Sequence, residues 1–235
     1  MDLLAIETSG EIASVALQRG DTVWERRLQG YARHAEHLLP AVHAVLAEAG
    51  LTVEQLSAIA FGAGPGAFTG LRLACAAAQG LAMPWSLPLV PVGTLEALAA
   101  QAGEGTVLAL ADARMGQCYH AWFRCSGGRL ESLTEAGVEV PEAVPLPPAD
   151  GPWHIVGQGM EALWPRLPES IRAGALEVVL DATVQARDLL RLARRAFAEG
   201  RTVPPWEAAP YYVRDKVALT AEEQAALRQR RMQAP

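Results

Sequence analysis

Short apolar blocks separated by glycine turns open the chain. Leu3 to Glu7 reads as a buried strand, Thr8-Ser9-Gly10 as a turn, and Ile12 to Gln18 as a second strand. Gly20-Asp21 forms a hairpin turn into a third strand, Thr22 to Leu28. The period then lengthens. Between His34 and Ala49, residues Leu38, Val42, Val45, Leu46 and Ala49 share one face of an amphipathic helix. Pro40 interrupts that helix, which either begins near Glu36 or bends at the proline. A strand (Ser57 to Phe61), a helix (Thr69 to Met83), a short strand (Leu89 to Val92) and a short helix (Thr94 to Gln101) follow.

The pattern then starts again. Thr106 to Asp112 is a strand, Ala113 to Gly116 a turn, Gln117 to Arg124 a strand, and Gly127-Gly128 turns into Arg129 to Thr134. Both halves therefore open as strand, turn, strand, glycine turn, strand, which points to a duplicated unit. The expected organisation is two lobes, residues 1–103 and 104–235. The proline-rich stretch Pro141 to Pro152 reads as an extended connector. Trp153 to Val156 is a strand running into Gly157-Gln158-Gly159, and Leu176 to Leu180 is another. Val184 to Ala198 is a helix with Leu189, Leu192, Ala193 and Ala196 inward. A last polar helix, Ala221 to Arg231, is expected to fold back on the first lobe.

Composition narrows the function classes. The 235 residues are half apolar, enough for a substantial core, and the formal charge is −6. An acidic chain with no long basic run is a poor free-standing nucleic-acid binder. Arg228, Arg230 and Arg231 near the C-terminus are candidate RNA contacts within a complex only. Cys75, Cys118 and Cys125 are odd in number and lack CxxC spacing, which fits a reducing cytosol. No charge-free apolar run reaches the roughly 20 residues of a membrane span.

The segment from Phe61 to Arg72 carries the most information. Gly62, Gly64, Pro65 and Gly66 impose a tight strand-to-helix turn, and Thr69 is a candidate N-cap. The turn is neither a GK[ST] phosphate loop nor a GxGxxG fingerprint, because Gly64, Gly66 and Gly70 are spaced GxGxxxG. The helix behind it is apolar almost all the way round, broken only by Arg72 and Gln79. Such a helix needs covering on two sides. One cover is a sheet; the other is either the preceding helix or a partner subunit.

Other chemistry is sparse. Glu7-Thr8-Ser9 and Asp112-Ala113-Arg114 sit at equivalent turns and are candidates for facing one cleft, where a carboxylate beside hydroxyls could meet hydrated magnesium or phosphate. Asp112 and Arg114 could equally form a structural ion pair. His34 and His37 are at helical spacing but lack a third metal ligand nearby.

Several segments in fixed order carry a family likeness. They are Leu4-Ala5-Ile6-Glu7-Thr8-Ser9, His34-Ala35-Glu36-His37-Leu38-Leu39-Pro40, Gly64 through Arg72, Asp112-Ala113-Arg114 and Pro210-Tyr211-Tyr212-Val213-Arg214. The chain resembles the TsaB (YeaZ) family, which takes part in making threonylcarbamoyladenosine in tRNA. The resemblance implies an α/β fold of the actin/sugar-kinase/heat-shock ATPase (ASKHA) type, with two similar lobes and mixed sheets. It implies a non-catalytic scaffold that pairs with TsaD and joins TsaE. The assembly would transfer threonylcarbamoyl from its adenylate to the adenosine beside the anticodon, meeting tRNA only as a complex. Glu7, Thr8, Ser9, Asp112, Arg114, Gly157 and Gly159 become vestigial nucleotide-binding positions. Leu38, Val42, Val45, Leu71, Arg72, Cys75 and Ala78 become the expected partner interface, and self-pairing is expected when the chain is alone. No metal or tightly bound cofactor is implied. ATP or ADP at the subunit junction is the one candidate. The family start usually reads Asp-Thr-Ser, and Glu7 departs from it. Two rival readings share the fold or its relatives: a small-molecule kinase or ATPase, and a metalloprotease-like protein.

Overall fold

The computed structural model describes residues 1–28, 34–149 and 151–214. Within them, strands build two mixed sheets of identical plan. The first contains β1 (Asp2–Glu7), β2 (Ala13–Arg19), β3 (Thr22–Leu28), β4 (Ala58–Gly64) and β5 (Leu89–Gly93), in the order β3-β2-β1-β4-β5. The second contains β6 (Gly105–Asp112), β7 (Cys118–Ser126), β8 (Arg129–Ser132), β10 (Trp153–Gln158) and β11 (Ala175–Val179), in the order β8-β7-β6-β10-β11. A short β9 (Gly137–Glu139) pairs with β7. In both sheets the opening strand is antiparallel to the second strand and parallel to the strand entered after the crossover. The repeat visible in the residue pattern is therefore a structural duplication.

The helices are distributed unevenly. In the first half, α1 (His34–Ala49) and α2 (Phe68–Ala82) cross between strands and pack on one face of the first sheet. In the second half the corresponding crossings are the proline-rich connector and the five-residue α4 (Glu169–Ala173). Two more helices, α3 (Thr94–Ala99) and α5 (Ala186–Ala198), lie in the core shared by both sheets. Strands β1, β2, β4, β5 and β6 are buried on both faces along most of their length, which is why they read as apolar runs, whereas the edge strands β3, β8 and β11 are largely exposed. Leu4 and Ile6 of β1 face α1 and α2, while Leu3 and Ala5 face the shared core. Small residues such as Ala5, Ala16, Ala58 and Ala60 let α5 sit close to the first sheet. On the other side of the second sheet, Leu108, Leu110, Trp122 and Ile155 make a third cluster.

Some local expectations change. The first long helix begins at His34 and runs through Pro40, which lies on its exposed side. The second begins at Phe68, and Thr69 is not its cap. The Ala67 N–H is held by the Ser9 carbonyl (3.1 Å), and the Ala67 carbonyl accepts the first helical bond, from Leu71 (2.9 Å). The expected helix Ala221–Arg231, with Arg228, Arg230 and Arg231, lies outside the described residues.

Candidate functional site

The glycine-rich turn serves the turn between β1 and β2. A Cβ at Gly62 would overlap the Glu7 carboxylate, one at Gly66 would meet Ser9, and one at Gly70 would overlap the Thr8 carbonyl. Gly64 sits at φ +108°, a conformation L side chains rarely adopt. The three glycines at 62, 66 and 70 thus make room for Glu7-Thr8-Ser9, and Thr8 Oγ1 donates to the Gly70 carbonyl at 2.6 Å.

Glu7 is fully buried. Its Oε1 accepts from the Ser9 N–H (2.5 Å) and the Ser9 hydroxyl (2.6 Å), while Oε2 has no hydrogen-bond partner among the described residues. Burial raises the Glu7 pKa, and the two Ser9 hydrogen bonds only partly oppose that. Glu7, Thr8 and Ser9 are therefore tied inward. Neither the Ser9 N–H nor its hydroxyl proton is free for a phosphate.

The equivalent turn between β6 and β7 is open. Arg114 and Met115 sit at φ 62° and 56° ahead of Gly116, and the Gln117 N–H donates to the Arg114 carbonyl at 3.1 Å. Asp112 accepts from the Arg114 N–H (2.8 Å) and from its guanidinium (3.2 Å). Asp112 and Arg114 thus form the structural ion pair that their spacing allowed.

Between the two turns lies a cleft of about 580 Å³. Ser9, Asp112, Arg114 and Gly159 line it as expected, but Glu7, Thr8 and Gly157 do not reach it. Gly157 lies within β10, packed against Met160. Thr94, Gln158, Asp181 and Thr183 complete the wall, and none of them stood out in the sequence. Gln158 was nonetheless flanked by the glycines that did. Among the described residues the charges are Glu11, Asp112, Glu161 and Asp181 against the single Arg114. The cleft is acid-lined and its arginine is already paired with Asp112, so among the described residues it offers no unpaired cation to a phosphate.

The expected docking residues need a larger correction. Leu38, Val42, Val45, Leu71, Cys75 and Ala78 are all buried inside the first lobe, so they cannot touch a partner. Periodicity had identified the α1 face that seeks cover, whereas α2 read as apolar all round; the first sheet covers one side of each. Arg72 alone is exposed. The second cover for α2 is internal, a strap formed by residues 203–214. The strap pairs Val203 with Leu89 through two backbone bonds, 2.8 and 2.9 Å. Gln79 Nε2 donates to the Pro205 and Ala208 carbonyls (2.8 and 3.2 Å), and the Tyr211 N–H donates to the Ala63 carbonyl (2.7 Å). At its end, Arg72 lies over the Phe68 ring (3.9 Å) and donates to the Tyr212 hydroxyl (3.2 Å). Arg214 then reaches Gln117 (2.7 Å), linking the strap to the second lobe. The Pro-Tyr-Tyr-Val-Arg segment carried a likeness in the sequence, but nothing there disclosed this role.

What remains outside on α2 is a stripe at helical spacing: Phe68, Arg72, Ala76 and Gly80, with Thr69 beside it. On α1 the outward residues include Leu39, Pro40 and His43. His34 is buried and His37 exposed, and among the described residues no group of three His, Cys, Asp or Glu could hold a metal ion. Cys75 and Cys118 are buried free thiols, the latter pushed up to about 12 by desolvation. No helix of the described residues is long and apolar enough to cross a membrane.

Comparison with known proteins agrees with this architecture. A family model described as TsaD, tRNA N6-adenosine threonylcarbamoyltransferase, matches residues 30–221. The tRNA threonylcarbamoyladenosine biosynthesis protein TsaB of Escherichia coli (strain K12) is 38% identical over 229 residues, covering 93% of this chain and 96% of that protein. Its counterpart from Haemophilus influenzae is 32% identical, covering 92% and 95%. The solved structure of YeaZ from Pseudomonas aeruginosa superposes with a TM-score of 0.82 at 35% identity, covering 90% of this chain and 99% of that one. The fold is of the ASKHA type.

Proposed function

The chain belongs to the TsaB (YeaZ) family of tRNA threonylcarbamoyladenosine biosynthesis proteins, and on that premise we propose a docking role rather than a catalytic one. The chain is a scaffold subunit that pairs with a TsaD-type catalytic subunit and, with a TsaE-type ATPase, supports threonylcarbamoyl transfer from the adenylate to tRNA. The observation that carries this reading is the state of the cleft. The Ser9 donors are committed to buried Glu7, and Arg114 is paired with Asp112 among further acids. A kinase-like or free ATPase reading needs those groups directed at phosphate. ATP or ADP at the subunit junction would then be held mainly by the partner.

The docking surface is the outer stripe of α2 with the neighbouring outward side of α1. Small residues at Ala76 and Gly80 permit close helix approach. Phe68, Arg72 and Tyr212 at one end supply the aromatic and arginine chemistry that interface hot spots favour. Self-pairing of the lone chain would use the same stripe.

The test is co-purification with the TsaD-type subunit. Ala76→Arg places a long cation on an exposed helix position, so the fold should persist while capture falls at least tenfold. Substitution of buried Cys75 or Ala78 would report only core damage. Unchanged capture of Ala76→Arg would remove α2 from the interface. In a reconstituted modification assay, Asp112→Ala and Arg114→Ala should each keep activity within about twofold, since neither is placed in the chemistry.

A further inference from the structure

The strongest unassigned feature is an open groove of about 610 Å³ between α5, the segment leading into β6, and the β7–β8 hairpin. Five arginines border it. Arg191, Arg194 and Arg195 come from α5 at i, i+3 and i+4, Arg129 from β8, and Arg201 from the segment after α5. Among the described residues two acids border it, Glu96 and Glu104. Both accept backbone N–H groups, from Gly93 (3.2 Å) and Gly127 (2.9 Å).

Little neutralises the arginines. Arg191 donates to the Ala100 carbonyl and Arg195 to the Gly128 carbonyl (3.0 Å), contacts that fix the side chains without cancelling charge. Arg195 and Arg201 share Glu199 at 3.0 and 2.7 Å. Arg129 and Arg194 are exposed, and their side chains make no hydrogen bond or ion pair among the described residues. An acidic chain has ample carboxylates to disperse such a cluster. Counted against Glu96, Glu104 and Glu199, the five arginines still leave the groove net positive, which favours an anion.

We infer that this groove binds the sugar-phosphate backbone of an RNA strand. The inference rests on the proposed role in a tRNA-modifying assembly and names the surface that would meet the tRNA. Five cations spread around an open trough exceed what one small phosphate can pair. The planar guanidinium suits bidentate phosphate contact. Phe123, Leu130 and Leu192 line the groove between the arginines, and an apolar floor accepts ribose and base faces. The groove is also free during docking. The docking helices α1 and α2 cover one face of the first sheet, and α5 packs in the core on the other.

The test is anisotropy of fluorescently labelled unmodified tRNA titrated with the complex of the full chain and the TsaD-type subunit across a salt series. The double variant Arg129→Gln/Arg194→Gln should bind roughly tenfold more weakly at low salt, with a log–log salt slope smaller by about two. Arg172→Gln, outside the groove, should match the parent chain. The double variant should still co-purify with the TsaD-type subunit, so loss of RNA binding and loss of docking are separable. Should the double variant unfold, Arg194→Gln alone is read instead, with a slope change of about one. Equal affinity and slope in parent and variant overturn the inference, as does absence of salt-dependent binding by the parent. Displacement of tRNA by poly-glutamate as effectively as by unlabelled RNA overturns it in favour of an acidic protein partner. Equally effective displacement by pyrophosphate overturns it in favour of a small-anion site.

Discussion

The turn between β1 and β2 and the turn between β6 and β7 hold the same place in two sheets of the same strand order. They differ in nearly everything physical. The first is buried, with Glu7 and Ser9 bonded to each other and three glycines pressed around them. The second is exposed, and its Asp112–Arg114 pair faces a wet cleft. A duplicated unit has thus given one turn to the core and left the other at the surface. The crossings follow the same division. The first half keeps two long helices with outward faces, while the second has a proline-rich connector and only short helical turns, the longest of them α4. Equivalent position in a repeat does not imply equivalent function. What packs against each copy decides.

The contrast can be broken hardest at Gly70. Gly70→Ala drives a Cβ into the Thr8 carbonyl, a backbone atom that cannot step aside. A loss of about 3 kcal/mol is expected in urea unfolding, against no loss for Gly80→Ala, where nothing lies within 4 Å. Next comes Ser9→Ala. It removes the hydroxyl that donates to a fully buried carboxylate and should cost about 2 kcal/mol.

Glu7 sharpens the comparison through pH. Its folded pKa is raised above the ordinary 4.5 by burial. Below 4.5 both folded and unfolded chains hold the proton. Above it the unfolded chain releases the proton while the folded chain keeps it, so stability falls as pH rises toward the folded value. The slope from this one group cannot exceed about 1.4 kcal/mol per pH unit. Unfolding free energies measured from pH 4 upward should show that fall in the parent chain and its absence in Glu7→Gln. Arg114→Ala gives the smallest effect. An exposed pair within a surface turn is worth under about 0.5 kcal/mol, and its removal should leave the unfolding midpoint almost unmoved.

Much of the fold was legible. The inner strands appeared as short apolar runs because burial on both faces leaves no polar side to alternate, and the repeat appeared because both halves reuse one strand plan. The site was less so. The apolar faces of α1 and α2 were identified correctly as faces needing cover, but Leu38, Val42, Val45, Leu71, Cys75 and Ala78 find it within the chain. Periodicity measures the demand for burial and carries no label for the supplier. Here the suppliers are the first sheet and a strap more than a hundred residues away, as the Gln79–Pro205 bond illustrates. The arginine groove was hidden for a related reason. A net charge of −6 averages over the whole surface, whereas Arg129 meets Arg191, Arg194 and Arg195 only after β8 is placed beside α5.

The sequence by itself determined the α/β class, the repeated strand, turn, strand, glycine turn, strand succession and the tight glycine turn from Gly62 to Gly66 ahead of an apolar helix. These follow from local pattern and from sterics that act within a few residues. Tertiary structure alone decided that Gly62, Gly66 and Gly70 accommodate Glu7 and Thr8-Ser9 rather than phosphate. It also decided that the strap covers α2, and that five dispersed arginines share one groove. Each of these depends on contacts between segments remote in the chain, where the partner's identity is set by the fold and not by the neighbouring residues.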